Sequence, residues 1–393
     1  MKSILRRLVV ILNRAVISPV LSTLHKTCGL ELQIMYTARI GHLCFNTCVY
    51  FYNLVNSDRG GSKRMAFLIG ADPCNRQLFD MWKRYLPAIE SRIVLFWFNA
   101  DLDYLLEQNF IDYIPFLHTE FKEIDQAPAL AFTPSEEVLG QQILEDMGLT
   151  SGDWFVCFQS RDSAYQEQIR SAGENRPRLH SNIDTYLDAA RLVTDLGGHA
   201  IRMGWGVSEP IETDGNAGII DYASNFRSDF GDIYLSGKCR FTISTTGMFA
   251  VPPLFKIPVI FANSFPLRLW QIGSQSMVVP KLFKDKDTDT LVPASVLSEY
   301  GALSYVHDDM VRWREPATVE GFNLAVIDNS ADDISNAARD MFDQLDGRLP
   351  SPEAREIQEF FKRKYCTDVP DGIEHGPNIA PSFAVKYQDV LCA

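Results

Sequence analysis

Short apolar runs alternate with amphipathic stretches along this chain, and this alternation is the feature that most constrains its fold. In the first third, strand-like runs at Leu30–Thr37, "RMAFLIG" and "SRIVLFWF" are each followed by apolar residues at helical spacing. A second series has strand-like runs at "DWFVCFQSRD", "HAIRMG", "IIDYA", "RFTIS" and "PVIFAN". Because strands that alternate with helices form parallel sheets with right-handed crossovers, the pattern predicts an α/β protein.

The length of the chain predicts more than one domain. Its 393 residues exceed what a single hydrophobic core usually organises, so we expect two α/β domains. A stretch from Ile114 to Glu137 contains three prolines and little periodicity, which indicates a connection. We predict a basic amphipathic segment at 1–28, a first domain at 29–135, a second domain at 136–348, and a C-terminal helix and tail at 349–393.

The net charge of −13 argues against a general nucleic-acid surface. Phosphate backbones are bound by clustered Lys and Arg, and an acidic protein of this size repels them. A local basic pocket for one small phosphorylated ligand remains compatible with this charge. We therefore expect no nucleic-acid partner.

The cysteines and acidic runs predict no metal site. The eight cysteines form no CxxC pair, and no histidine stands at metal-ligand spacing from any of them. Several lie inside apolar runs, as expected of thiols that stay reduced in the cytoplasm. The run "KDKDTDT" at Lys284–Thr290 is interpreted as a solvated turn rather than a metal-binding pair.

The first 28 residues combine early positive charges with an apolar pattern. Asn13, Arg14 and Pro19 interrupt the pattern well before the ~20 apolar residues that a membrane span needs. No clean small-residue cleavage site follows, so a secretory signal is not indicated. Two interpretations stay open: a basic amphipathic helix in peripheral contact with the inner face of a membrane, or an ordinary surface helix or imprecise start site.

Polar residues follow the first predicted strand, where α/β sheets bind their ligands. Arg39, Gly41 and His42 lie there, in "ARIGHLCFN". A single glycine replaces the GxGxxG fingerprint, so NAD binding is not supported. His42 is placed to carry a proton near neutral pH, or alternatively to cap a helix after a tight turn.

The second half has arginines after several of its strands and hydroxyls before its last predicted helix. Arg161 and Asp162 follow one strand, and Arg202 ends another, where a structural pair with Asp221 is the alternative. Helix capping could explain Ser228, next to Arg227 and Asp229. The turn between "RFTIS" and the next predicted helix contains Ser244, Thr245, Thr246 and Gly247. Together these residues predict an anion site.

Several of these stretches resemble a known family. Bacterial GT-B glycosyltransferases of surface-polysaccharide biosynthesis are similar over roughly Leu30–Glu299. The resemblance rests on "RIGHLCFN", "SRDSAYQ", "HSNIDTYLDAARLVTDLGGHAIRMG", "IDYASNFRSDFGDIYLSGKCRF" and "STTGMFAVPPLFKIPVIFAN". A more distant similarity links the same blocks to GT-B fucosyltransferases. The first block reads Gln159–Asp162 here, without the His and paired arginines of those enzymes, which argues against a GDP-fucose donor.

The resemblance implies a GT-B-like fold of two Rossmann-like domains with an interdomain cleft. It implies that 29–135 binds a glycan or glycolipid acceptor, with Arg39, Gly41 and Asn46 on the acceptor side. It implies that 136–348 binds a nucleotide-sugar donor. The donor-binding residues are then Arg161, Arg202, Arg227, Ser228, Asp229, Ser244, Thr245, Thr246 and Gly247.

The predicted reaction transfers a sugar without metal or cofactor, in the cytoplasm. Arginines and backbone N–H groups stabilise the leaving diphosphate, and His42 or, in reserve, Asp162 acts as the catalytic base. Two other function classes stay open: a two-domain sugar-nucleotide epimerase or hydrolase, and a non-catalytic assembly protein that retains the fold.

Overall fold

The computed structural model describes most of the chain and divides it into two compact units. The described residues are 2–56, 65–108, 111–114, 122–161, 180–245, 247–265, 274–303, 313, 316–366 and 378–393. The first unit takes in 1–117 and 126–128, and the second takes in 118–125 and 129–393.

The first unit begins with a long helical segment. Helix α1 (Lys2–Leu12) passes through one π-helical turn (Asn13–Ile17) into α2 (Ser18–Cys28). Gly29 ends α2 with a φ of 67°, a left-handed conformation that glycine adopts without steric cost. No described helix of the chain is both long enough and apolar enough to cross a bilayer.

A parallel four-stranded sheet forms the centre of the first unit. Its strands are β1 (Leu30–Ile34), β2 (Met65–Gly70), β3 (Ala88–Glu90) and β4 (Ile111–Tyr113). They are arranged in the order β3-β2-β1-β4, which matches the first four positions of the Rossmann order 3-2-1-4-5-6. The remaining helices of this unit are α3 (Ile40–Asn56), α4 (Arg76–Trp82), α5 (Arg92–Asn99) and α6 (Leu102–Glu107).

The strand predicted at "SRIVLFWF" is wrong, because this stretch forms helix α5. Ser91 caps the helix by accepting a hydrogen bond from the Val94 N–H at 3.2 Å. Phe98 is buried while Ile93 is exposed, so packing on one helical face overrides the strand preference of the sequence. The third strand is the preceding stretch, Ala88–Glu90.

A parallel six-stranded sheet forms the centre of the second unit. Its order is β10-β9-β8-β5-β6-β7, which is the doubly wound Rossmann order counted from β5 as the first strand. The α/β prediction with two Rossmann-like units is therefore confirmed by the two sheets. The strands are β5 (Phe155–Gln159), β6 (His199–Arg202), β7 (Ile219–Ile220), β8 (Thr242–Ser244), β9 (Val259–Ser264) and β10 (Met277–Pro280).

The second half contains further helices, some of which cover both faces of this sheet. They are α7 (Lys122–Gln126), α8 (Pro134–Asp146), α9 (Leu187–Asp195), α10 (Tyr222–Asn225), α11 (Asp229–Lys238), α12 (Ala294–Glu299), α13 (Pro316–Gly321), α14 (Ala331–Leu345), α15 (Pro352–Tyr365), α16 (Pro381–Lys386) and α17 (Gln388–Leu391). Phe158 packs into the larger core with α9 and α14, whereas Cys157 packs with Leu235 of α11 on the opposite face. Adjacent strand residues thus serve two cores, as in a sheet buried on both sides.

A small two-stranded antiparallel sheet lies outside the main sheet. Strand β11 (Leu282–Asp285) pairs with β12 (Leu324–Ile327), and neither strand was predicted. The run Lys284–Thr290 leaves β11 as a turn, in which the Asp285 carboxylate accepts hydrogen bonds from the N–H groups of Asp287 and Thr288 at 2.8 and 2.9 Å. The solvated-turn interpretation agrees with this geometry.

The helix predicted after Gly247 is two short 3₁₀ turns instead. They span Met248–Ala250 and Pro252–Phe255. The adjacent prolines Pro252 and Pro253 lack N–H donors, which prevents a continuous α-helix here. The anion-attracting N-terminus of a long helix is therefore missing at this turn.

We predict that Gly140→Ala destabilises the second unit. A Cβ at this buried position of α8 would lie 2.1 Å from the Tyr234 ring of α11. We expect overpacking to lower the free energy of unfolding by about 1–3 kcal/mol, measured by chemical denaturation. Helix propensity alone would favour alanine by ~1 kcal/mol, so a stabilised variant would contradict the predicted contact.

The matched control is Gly41→Ala in the first turn of α3. A Cβ there would meet no described atom within 4 Å. This substitution should leave the free energy of unfolding unchanged or raise it.

Candidate functional site

The carboxyl edge of the six-stranded sheet contains most of the predicted donor residues. The chain leaves β5 toward β6 in one direction and β8 toward β9 in the other, which makes the gap between β5 and β8 the topological switch point. Arg161 follows β5, and Thr245 and Gly247 follow β8. In open α/β sheets ligands bind in the crevice outside the strands at such a point.

A buried hydroxyl network lies at this switch point. The Thr245 hydroxyl is 2.8 Å from the Tyr186 hydroxyl and 3.1 Å from that of Ser181. Thr245 and Tyr186 are both completely buried, and burial raises the pKa of Tyr186. The Thr245 hydroxyl therefore has protein partners, and its predicted contact with a donor stays a prediction.

Asn263 extends the network to the end of β9. Its side-chain amide donates to the Tyr186 hydroxyl at 3.2 Å. Its backbone N–H donates to the Asn329 side chain at 2.5 Å, and the Asn329 N–H donates back to the Asn263 side chain at 2.8 Å. Asn263 has a φ of 53°, a left-handed conformation that asparagine tolerates better than most residues. The network thus fixes the ends of β8 and β9 relative to Tyr186.

The other residues of the hydroxyl-rich turn are in mixed environments. Ser244 is completely buried, and its hydroxyl has no hydrogen-bond partner within the described part of the chain. Gly247 has a φ of 78°, which only glycine adopts readily, and begins the first 3₁₀ turn. Thr246 lies outside the described residues.

A cavity of about 460 Å³ adjoins the network through Ser181. Lys281, which follows β10, is among the residues that line it, and only 2% of its side chain is exposed. Its Nζ donates to the His180 carbonyl at 2.7 Å and to the Asp328 carboxylate at 2.5 Å. Burial lowers the pKa of Lys281, and Asp328 opposes that effect. An ammonium group has three donors, and within the described part of the chain these two bonds use two of them.

The Ser181 backbone joins this cavity to the end of β5. Its N–H donates to the Arg161 carbonyl at 3.4 Å. Arg161 is half-buried. Asp162, the reserve base, lies outside the described residues.

A second group of predicted residues surrounds the first turn of α11. One Arg227 nitrogen, Nη2, donates to Asp229 at 2.9 Å and to Asp232 at 2.8 Å. The Tyr222 hydroxyl donates to Asp232 at 3.1 Å, and Ser228 caps the helix by accepting from the Gly231 N–H at 3.0 Å. The capping role expected of Ser228 is confirmed.

Asp232 is the most perturbed carboxyl of this group. It is 4% exposed. Burial raises its pKa from 3.8 to about 7, although Arg227 and the Tyr222 hydroxyl act in the opposite direction. With both carboxylates ionised the Arg227 group has a net charge of −1, and with Asp232 protonated it is neutral.

Arg202 has the structural partner that the alternative interpretation named. It is 2% exposed, and its Nη1 donates to the Glu209 carbonyl at 2.7 Å and to Asp221 at 3.2 Å. Asp221 also accepts from the Ile211 N–H at 3.1 Å. These bonds hold the guanidinium beneath the surface and neutralise it, as a buried charge requires.

The first unit places His42 at the switch point between β1 and β4. The Tyr36 ring, after β1, stacks on Tyr113 of β4 at 5.1 Å and contacts the His42 ring at 5.6 Å. The His42 Nδ1 is 3.2 Å from the side-chain oxygen of Asn46, which is 2% exposed. Asn46 therefore fixes the orientation of the imidazole from one turn further along α3.

Arg39 and Gly41 lie beside His42 on the same edge. Arg39 is exposed immediately before α3. The space beside Gly41 is open, because no described atom would lie within 4 Å of a Cβ at this position. The backbone can therefore be approached closely here.

The structure brings the predicted donor residues together in two groups rather than one. Arg161 and Thr245 belong to the switch-point group, and Arg227, Ser228 and Asp229 belong to the α11 group. Within the described ranges, no hydrogen bond joins Thr245 to Arg227. Sequence reasoning missed Ser181, Tyr186, Asn263 and Lys281.

Comparisons with known proteins give distant likenesses. No protein-family model and no curated protein matches the chain. Among solved structures, the ADP-heptose LPS heptosyltransferase II of E. coli has a TM-score of 0.43 and 10% identity, covering 64% of this chain and 91% of that one. A glycosyl transferase family 9 protein of Veillonella parvula has a TM-score of 0.43 and 13% identity, covering 74% and 98% respectively. These scores are too low to assign an activity to this chain.

We predict that Asp232→Asn changes the pH dependence of stability. Between the unfolded pKa near 3.8 and the folded pKa of about 7, the folded protein holds a proton that the unfolded chain has lost. This contribution to stability is complete below the lower value and is lost as the pH rises through the higher one, by at most about 1.4 kcal/mol per pH unit.

The melting temperature of the native protein should therefore fall, relative to that of Asp232→Asn, as the pH is raised from 5 to 8 in low salt. Parallel melting curves for the two proteins across this range would show that burial does not raise the pKa of Asp232.

Proposed function

We propose that this protein transfers a sugar from a nucleotide-sugar donor to a glycan or glycolipid acceptor in cell-surface polysaccharide biosynthesis. In this proposal 136–348 binds the donor, 29–135 binds the acceptor, and neither metal nor cofactor takes part. The main observation in favour of this proposal is where two groups of residues, both named from the sequence as candidate site residues, lie in the fold. Arg161 and Thr245 follow the strands that flank one switch point, and His42 lies at the other.

The cavity beside Lys281 supports a small phosphorylated ligand in the donor half. Its volume of about 460 Å³ lies within the usual range for small-molecule sites. Lys281 supplies a cation at the wall of the cavity, and Asn182 and Asp328 supply polar groups for sugar hydroxyls. Lys281 and Arg161 would stabilise the charge that develops on the leaving diphosphate.

Arg227 is a weaker candidate for the same task. Asp229 and Asp232 already neutralise its charge, so an incoming phosphate would compete with two carboxylates. The proposal therefore gives Arg227 a secondary part. Its contribution grows below pH 7, where Asp232 is protonated and the local charge is less negative.

His42 is the proposed base on the acceptor side. In the neutral tautomer whose Nδ1–H donates to Asn46, Nε2 carries the basic lone pair, and this nitrogen takes the proton of an attacking acceptor hydroxyl. The oxygen then forms the new glycosidic bond while the bond from the sugar to the diphosphate breaks.

We predict that one nucleotide sugar, screened among UDP-, GDP-, CDP-, dTDP- and ADP-sugars, raises the melting temperature. Free ligand at about 100 times its Kd adds about 2.7 kcal/mol to the free energy of unfolding. Lys281→Met should abolish most of this ligand-induced increase, because it removes the charge and keeps the side-chain volume.

The control is Lys238→Met, since Lys238 pairs with Glu137 in the contact between α8 and α11. It should keep the full increase. A protein that responds to none of the five donors would support the non-catalytic assembly role instead.

We predict that His42→Gln lowers kcat for glycosyl transfer by about 10²–10⁴ at saturating substrates, the usual contribution of a general base. The donor-induced increase in melting temperature should persist, because His42 belongs to the acceptor half. His199→Gln is the control and should leave kcat unchanged. His199 begins β6 and therefore lies at the amino edge of the six-stranded sheet, away from the carboxyl edge that contains the candidate site.

Near-normal turnover of His42→Gln would exclude it as the base. Release of free nucleoside diphosphate by the native protein without transfer to an acceptor would favour the epimerase or hydrolase alternative.

A further inference from the structure

The N-terminal helical segment exposes a continuous apolar stripe. Ile4, Leu8 and Ile11 stand three and four residues apart on α1, and Ile4 and Ile11 are 65% and 63% exposed. The stripe continues through the π turn into α2. Its further exposed members are Leu5, Leu12, Val16, Val20 and Leu24. At 1.5 Å per residue the segment from Lys2 to Cys28 is about 40 Å long, so the stripe forms an extended surface.

The opposite side of this segment is fixed to the first unit. Val9 is 2% exposed, and the Asn13 side chain donates to the Trp97 carbonyl at 2.8 Å. The Tyr104 hydroxyl donates to Ser18 at 3.4 Å. The segment is therefore docked with its apolar stripe pointing away from the core of its own unit.

Helix α5 adds to the exposed apolar surface of this region. Its Trp97 carbonyl accepts a hydrogen bond from the segment, as described above, and its Ile93 and Phe96 are exposed. Isolated exposed apolar residues are ordinary, but apolar residues that follow one another along one helix face, as in the stripe of α1 and α2, mark a surface that binds a partner.

The charge of this segment is opposite to that of the rest of the chain. Residues 1–30 contain Lys2, Arg6, Arg7, Arg14 and Lys26 and no Asp or Glu, whereas the whole chain has a net charge of −13. Arg7 is exposed, and the Arg14 side chain is 55% exposed although it pairs with Asp101. Apolar residues flanked by lysine and arginine fit an interface of acyl chains and anionic headgroups.

We propose that residues 4–24 bind the surface of an anionic lipid bilayer, with the helix lying in the plane of the interface. The inference is independent of the proposed transfer reaction, because it rests on the stripe and its charge alone. A second copy of the chain is a poorer occupant of this surface. In a symmetric dimer each stripe would bring its own positive charges against those of its partner.

The test is co-sedimentation of the full chain with two kinds of vesicle: phosphatidylcholine alone, and phosphatidylcholine with phosphatidylglycerol in a two-to-one ratio. We expect binding to the second kind and little to the first. A triple variant, Ile4→Ser with Leu8→Ser and Ile11→Ser, should lower the binding constant at least about tenfold, because three apolar side chains no longer leave water.

Charge is tested separately by Arg7→Glu, which should weaken binding about tenfold because it replaces an attraction to the anionic surface by a repulsion. The matched control is Val138→Ser with Leu349→Ser, two exposed apolar residues of the second unit at 73% and 80% exposure. It should bind as the native protein does. All variants alter exposed side chains, so unchanged melting temperatures will show that they fold.

Three results would overturn the proposal. The first is equal binding of the native protein and the triple variant. The second is equal binding to both kinds of vesicle. The third is a dimer, measured by light scattering, that the triple variant loses while no vesicle binding is seen, since this would assign the stripe to a second copy.

Discussion

The parallel pairing of β5 with both β6 and β8 is the constraint on which the second unit depends. Parallel neighbours can be joined only by a crossover, so each strand of this sheet ends at the same edge. Arg161, Thr245 and the residues after β9 and β10 are far apart in sequence and reach one edge for this reason alone. The hydroxyl network of Tyr186 then fixes the ends of β8 and β9 relative to each other, because Tyr186 hydrogen-bonds both to Thr245, directly after β8, and to Asn263, near the end of β9.

The sequence was sufficient to predict elements that are marked by an apolar run and insufficient for those that are not. β1, β2, β5, β8 and β9 lie where apolar runs predicted them. β10 was missed because it ends in Pro280, and β4 was missed because its sequence, Ile-Asp-Tyr, does not belong to an apolar run. "SRIVLFWF" was assigned to a strand because its apolar composition favours one. Ser91 could be recognised in the sequence as a possible helix cap, but its hydrogen bond with the Val94 N–H is seen only in the structure.

Residues of the candidate site could be predicted where a polar or charged side chain comes soon after a predicted strand. His42 and Arg161 were found in this way, whereas Tyr186 and Lys281 were not. Tyr186 ends a 3₁₀ turn, and in the sequence it looks like an ordinary aromatic residue of the core. Its hydrogen bond with Thr245 joins residues that are 59 positions apart and is seen only in the folded chain. Lys281 follows a strand that the sequence did not reveal. For Arg202 the pairing with Asp221 could be named in advance, but burial was needed to support it.

The two-stranded β11–β12 sheet forms a wall of the cavity in which substitutions cost little stability. Ala325 and Val326 of β12 line the cavity, yet their strand pairs with β11 and not with the six-stranded sheet. Substitutions at these half-buried positions can alter the shape of the cavity while the central sheet and the Tyr186 network stay intact. Related proteins could therefore come to bind different ligands in this cavity without passing through unstable intermediates. The residues that would change ligand specificity are not the ones that hold the central sheet together.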